Sequence, residues 1–198
     1  LYSLMESVID SYLRQPDSKW RDLRSDTRTR GPLARASNLT MDLFSKRYED
    51  TLHWETEKFD EIVTKGCFPL HPLTTALLSD LRLQSMATVG NPRTVLGFVF
   101  EQITSRKDQV ALEGHKISWV LPVELVDYFG SYLPENIWLL YEHARRALGA
   151  NPPVEQELLL KALLLQEAGR LPVTRDTHVH YMSEASGVPY DQALQHLK

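Results

Sequence analysis

The chain has 198 residues, enough for one large or two small domains, each with a buried core. Its 42% hydrophobic and 24% charged residues are ordinary for a globular protein, and no run nears the roughly 18 apolar residues of a membrane helix. A formal net charge of -4 argues against a surface that grips nucleic acid throughout, and the single cysteine, Cys67, excludes an internal disulfide framework and suits a reducing cytoplasm.

Apolar residues recurring at three- and four-residue steps predict helix along nearly the whole chain. The first helix covers about 1–15 and stops before Pro16. Leu1 falls inside its amphipathic pattern (Leu4, Val8, Ile9, Tyr12, Leu13), and Lys198 closes another (Ala193, Leu194, Leu197) without a stop signal. A piece of a longer chain is therefore expected. Residues 16–37, rich in Arg, Asp, Ser and Thr and containing Gly31-Pro32, read as a loop or a poorly ordered segment. A second helical stretch, about 39–64, begins at the candidate cap Asn38 and ends at Lys65-Gly66.

Charge changes sign here. Arg14 to Arg47 holds nine Lys/Arg against four Asp/Glu, net +5, whereas Tyr48 to Ile62 holds six acids and one Lys, net -5. Either the two stretches are solvated faces with one internal salt-bridged contact, or the Arg-rich loop meets a nucleotide, a nucleic acid or an acidic partner.

Phe68-Pro69-Leu70-His71-Pro72-Leu73 predicts an extended entry and then a helix start, with Pro72 at an early position where its missing N–H costs nothing. The helix over about 72–84 carries Leu73, Leu77, Leu78 and Leu81 on one face. Asn91 and Pro92 are the expected cap and first residue of the next helix, about 92–105, which is apolar on most sides. Residues 106–118 read as a loop, and helices follow over about 122–132 and 135–148. The paired prolines of Asn151-Pro152-Pro153 mark the clearest boundary. Beyond it lie helices over about 153–168, 175–186 and 189–198, with Gly187 between the last two, a helix-turn-helix pattern.

Neither G-x-x-x-x-G-K-[ST] nor G-x-G-x-x-G occurs, and no apolar strand runs into paired acids, so a nucleotide hydrolase cannot be completed from these residues alone. His178 and His180 stand two apart, on different sides of a helix, and read as surface or capping residues; no metal site is expected. Cys67 lies near His71, but no orienting group accompanies the pair, and a structural cysteine is the simpler reading.

The stretch from Phe68 to Arg106 carries two short anchors, Phe68-Pro69-Leu70-His71-Pro72-Leu73 and Asn91-Pro92-Arg93-Thr94-Val95-Leu96, followed by Val123-Glu124-Leu125-Val126-Asp127-Tyr128-Phe129. In order and spacing these resemble the lid region of AAA+-like P-loop ATPases of bacterial and archaeal phage-defence systems, the BREX-type ATPase among them. Val89-Gly90 departs from the aromatic or polar residue that more often precedes the Asn. The resemblance implies a mainly α chain: an AAA+ lid-like helical bundle followed by a three-helix, winged-helix-like segment. The domains would be 1–38 (N-terminal helix and Arg-rich loop), 39–150 (lid) and 151–198 (truncated winged helix).

The resemblance also implies that Arg93 corresponds to the sensor-2 type arginine of such lids. A guanidinium in the first turn of a helix can face a nucleotide's terminal phosphates, with the field of the helix end assisting. An exposed arginine paired with an acid is the alternative. His71 is the second candidate on the nucleotide side, against a packing role at the helix start. ATP and Mg would bind in the parent protein, with none expected for this chain alone. Its partners would be the rest of the parent ATPase and other defence-system proteins, with no membrane involved. A helical protein–protein interaction module is the second reading. A DNA-binding adaptor is the third, although residues 174–198 hold only Arg175 and Lys198 against Asp176, Glu184 and Asp191.

Overall fold

A computed structural model describes residues 1–81 and 94–197. Among them the chain is mainly helical, with one two-stranded sheet. No described helix is long and apolar enough to cross a membrane. Contacts divide the chain into two compact units: of the described residues, 1–79 and 94–120 form one, and 80–81 and 121–197 the other. The expected boundaries after 38 and 150 fall inside these units.

In the first unit, α1 (Tyr2–Tyr12) packs on α5 (Val95–Arg106). Met5, Ile9 and Leu13, at four-residue steps, are fully buried, which is why this stretch is helical and which face it turns inward. Helix α2 (Arg30–Leu43) begins inside the segment expected to be a loop. Gly31 and Pro32 occupy its first turn, where neither an internal hydrogen bond nor the proline ring obstructs the helix. Leu33, Ala36, Thr40, Met41 and Leu43 are buried along it, so packing sustains a helix that the polar composition concealed. Asn38, the expected cap, lies exposed in the middle of α2.

The expected helix over 39–64 is broken into pieces: a π-helical turn Lys46–Thr51, the short α3 (Thr56–Phe59) and a second π-helical turn Asp60–Lys65. His53 adopts a left-handed φ of 51°, which helix does not tolerate. Tyr48 and Phe59, both fully buried, meet edge to face with ring centroids 4.7 Å apart and hold the broken ends together. Helix α4 (Pro72–Asp80) is buried from Pro72 through Leu78 and forms the centre of this unit's core. The expected loop over 106–118 contains a hairpin, β1 (Leu112–Glu113) and β2 (Lys116–Ile117), turning through Gly114 and His115.

The second unit holds α6 (Glu124–Phe129), α7 (Glu135–Ala147), α8 (Val154–Ala168), α9 (His178–Ser186) and α10 (Tyr190–His196). Prolines 134, 153 and 189 stand immediately before α7, α8 and α10, where a fixed φ and a missing N–H suit a helix start. Helix α8 packs on α7 and α9, and α10 closes on α9 and α8. Tyr181 is fully buried, and its hydroxyl donates to the Ala162 carbonyl at 2.8 Å, pinning α9 to α8. Gly187 ends α9 with φ 75°, and a Cβ there would lie 2.5 Å from a Leu121 methyl.

Candidate functional site

Phe68–Leu73 is built into the core of the first unit. The Leu70 backbone bridges Val120 in parallel, the Val120 N–H donates to the Pro69 carbonyl at 3.0 Å, and the His71 N–H donates to the Val120 carbonyl at 3.0 Å. The Thr74 hydroxyl donates to the same Val120 carbonyl at 2.8 Å. His71 is fully buried, with its Nδ1 accepting the Leu73 N–H at 3.2 Å at the start of α4 and its ring 5.2 Å from that of Trp119. Phe68 packs between Trp20 and Trp119, at centroid distances of 6.2 and 5.4 Å. The geometry gives His71 a helix-capping and packing role at this position.

The second anchor is described only from Thr94 onward. Arg93, with the expected cap Asn91 and the expected first helical residue Pro92, lies outside the described residues. Thr94 is extended, and its hydroxyl accepts the Gly97 N–H at 2.9 Å, which is the cap of α5. Arg93 thus immediately precedes a capped helix start in sequence.

Cys67 is fully buried, and burial pushes its thiol up to about 12, opposed by Arg14 and the Thr75 hydroxyl. Such a thiol stays protonated and unreactive at neutral pH. His180 is exposed and stacks on Tyr190 at 4.7 Å, and His178 opens α9. Among the described residues no group of three or more His, Cys, Asp or Glu is placed to hold a metal ion.

The Arg-rich and acidic stretches converge in the first unit, and sequence reasoning missed how. Arg14 is a structural clamp: its side chain is 4% exposed and donates to the carbonyls of Lys65, Gly66 and Phe68 at 3.2, 2.7 and 2.6 Å. They lie at and just beyond the end of the π-helical turn Asp60–Lys65, where helix carbonyls run out of intrahelical partners, and the Lys65 carbonyl also accepts the Phe68 N–H at 3.4 Å. Burial lowers the pKa of Arg14 from its usual value, and Asp10, paired with it at 2.8 Å, works against that shift. The one signal in sequence was position, since Arg14 follows Asp10 by one helical turn.

Beside this clamp lies a cleft of about 640 Å³. Arg24, Asp26 and Arg30 come to it from the Arg-rich stretch, and Asp60, Glu61 and Lys65 from the acidic one and its end, with Glu6 of α1 completing the charged lining. Asp60 pairs with Lys65 at 2.7 Å, and Asp26 pairs with Arg28 at 2.7 Å and is held down to about 2 by it. Arg24, Arg30, Glu6 and Glu61 form no ion pair among the described residues. In the second unit, an apolar groove of about 420 Å³ between α7 and α8 is lined by Ile137, Leu140, Leu160, Leu163 and Leu164.

No family model, no curated protein and no solved structure matches this chain.

Proposed function

We propose that this chain is the lid-like and winged-helix-like part of a larger AAA+-like P-loop ATPase acting in phage defence or DNA transactions in the cytoplasm. In that parent protein ATP and Mg bind to the nucleotide core, and this part contributes a nucleotide-sensing arginine, Arg93, and couples closure to neighbouring domains. The observation that carries the reading is the treatment of Phe68–Leu73. A proline-flanked histidine caps a helix that is buried from Pro72 through Leu78, a rigid support for the elements around it. The turn from α9 through Gly187 into α10 supports the winged-helix-like part of the reading. A guanidinium aimed at the γ-phosphate acts through preorganised charge.

Two measurements test this. The coding region upstream of Leu1 must contain a Walker-type loop, and its absence would end the reading. In the parent ATPase, Arg93→Ala is expected to lower the hydrolysis rate by roughly one hundredfold while leaving the fold intact by circular dichroism.

A helical interaction module is the second reading, favoured by one observation. Leu140, 68% exposed, opens onto the α7–α8 groove with Ile137, Leu160, Leu163 and Leu164. An apolar groove open to solvent is typical of surfaces that another protein covers.

A further inference from the structure

The charged cleft of the first unit has no part in the nucleotide reading, and its chemistry is specific. Its two sources are oppositely charged stretches of chain, so the ordinary outcome is mutual neutralisation by ion pairs across the gap. That is not what the side chains do. Asp60 pairs with Lys65 on its own segment, and Asp26 pairs with Arg28 on its own loop. Arg24 and Arg30 on one stretch, and Glu6 and Glu61 on the other elements, line the cleft with no ion-pair partner. The cleft therefore presents charges of both signs that no ion pair across it joins.

Two further features separate it from an ordinary surface dip. Its volume of about 640 Å³ lies within the range of sites that take small ligands. Asp60, Glu61 and Lys65 come from a π-helical turn, a rare conformation that recurs at functional sites. The buried Arg14 clamp fixes the end of that turn through three carbonyls.

We propose that the cleft binds a mixed-charge peptide segment of a partner protein, its carboxylate meeting Arg24 and Arg30 and its ammonium or guanidinium meeting Glu6 and Glu61. A simple anion fits less well, because Glu6, Asp26, Asp60 and Glu61 all line the same space. A simple cation meets Arg24, Arg30 and Lys65. A ligand carrying both signs can gain from both the free arginines and the free glutamates that line the cleft.

The test is a titration of the full chain, followed by amide chemical shifts in low-salt buffer. The probes are three blocked peptides, Glu-Ala-Ala-Lys, Glu-Ala-Ala-Glu and Lys-Ala-Ala-Lys, together with inorganic pyrophosphate. The mixed peptide is expected to shift residues 24–34 and 60–65 and to bind about fivefold more tightly than either like-charged peptide. Binding should fall about fivefold in Arg24→Ser/Arg30→Ser and, separately, in Glu61→Gln, both at exposed positions whose exchange leaves the melting temperature unchanged. Shifts outside the cleft, equal binding of all three peptides, or a stronger response to pyrophosphate than to the mixed peptide would each overturn the proposal.

Discussion

At the scale of single residues, the protein turns one arginine inward onto its own backbone. Arg14 donates to three carbonyls at the end of a π-helical turn while its side chain is 4% exposed. Arg14→Met keeps most of the volume but removes the donor to the part-buried Gly66 and Phe68 carbonyls, and an unsatisfied buried acceptor costs about 1–3 kcal/mol. A loss of about 2–4 kcal/mol in urea unfolding is therefore expected. A change below about 0.5 kcal/mol, the range of ordinary surface substitutions, would show that the clamp contributes nothing. Apart from its position one helical turn after Asp10, nothing in the spelling separates Arg14 from its exposed neighbours, because burial is a property of what folds over a side chain. His71 shows the opposite case: flanking prolines announced a helix start, and the ring was found capping it.

At the scale of elements, helix ends were legible where chain chemistry is local. Prolines before α7, α8 and α10, and glycine after α9, act through φ restriction and left-handed freedom, which need no tertiary partner. Gly187→Ala must place a Cβ at φ 75° and displace the Leu121 methyl 2.5 Å away. A loss of about 1–2 kcal/mol in denaturant unfolding is expected; retention of full stability would mean that the α9–α10 turn relaxes freely. Gly66 stands at the expected helix stop, and its φ of -62° is ordinary. What demands glycine there is close approach, since a Cβ would meet the Ile62 carbonyl oxygen at 2.5 Å. The helix α2 and the broken stretch after it were not legible, because buried contacts of Leu33, Ala36 and Met41 outweigh a polar composition and Tyr48–Phe59 packing outweighs periodicity.

At the scale of the whole molecule, buried thiol and phenol groups make stability fall at alkaline pH. Burial pushes the Cys67 thiol up to about 12 and the Tyr141 phenol up to about 12, and raises Tyr48 and Tyr181 as well. Each group is held protonated by the fold, so above its unfolded value the unfolded state has lost the proton and the folded state has not. Their stabilising contribution is full below about pH 8.5 and is lost as pH rises toward the folded values, by about 1.4 kcal/mol per pH unit per titrating group. Thermal unfolding is expected to show a falling melting temperature from about pH 9, with Cys67→Ala moving that onset toward pH 10, where the tyrosines take over. A flat profile between pH 9 and 11 would contradict it.

By itself, the sequence determined the mainly helical class, the helix start at Pro72 and most helix ends between residues 122 and 197, because periodicity and backbone restriction are written locally. Only the tertiary structure decided that oppositely charged stretches would meet around an open cleft with Arg14 turned inward. Which charges pair is set by distances between segments that are remote along the chain.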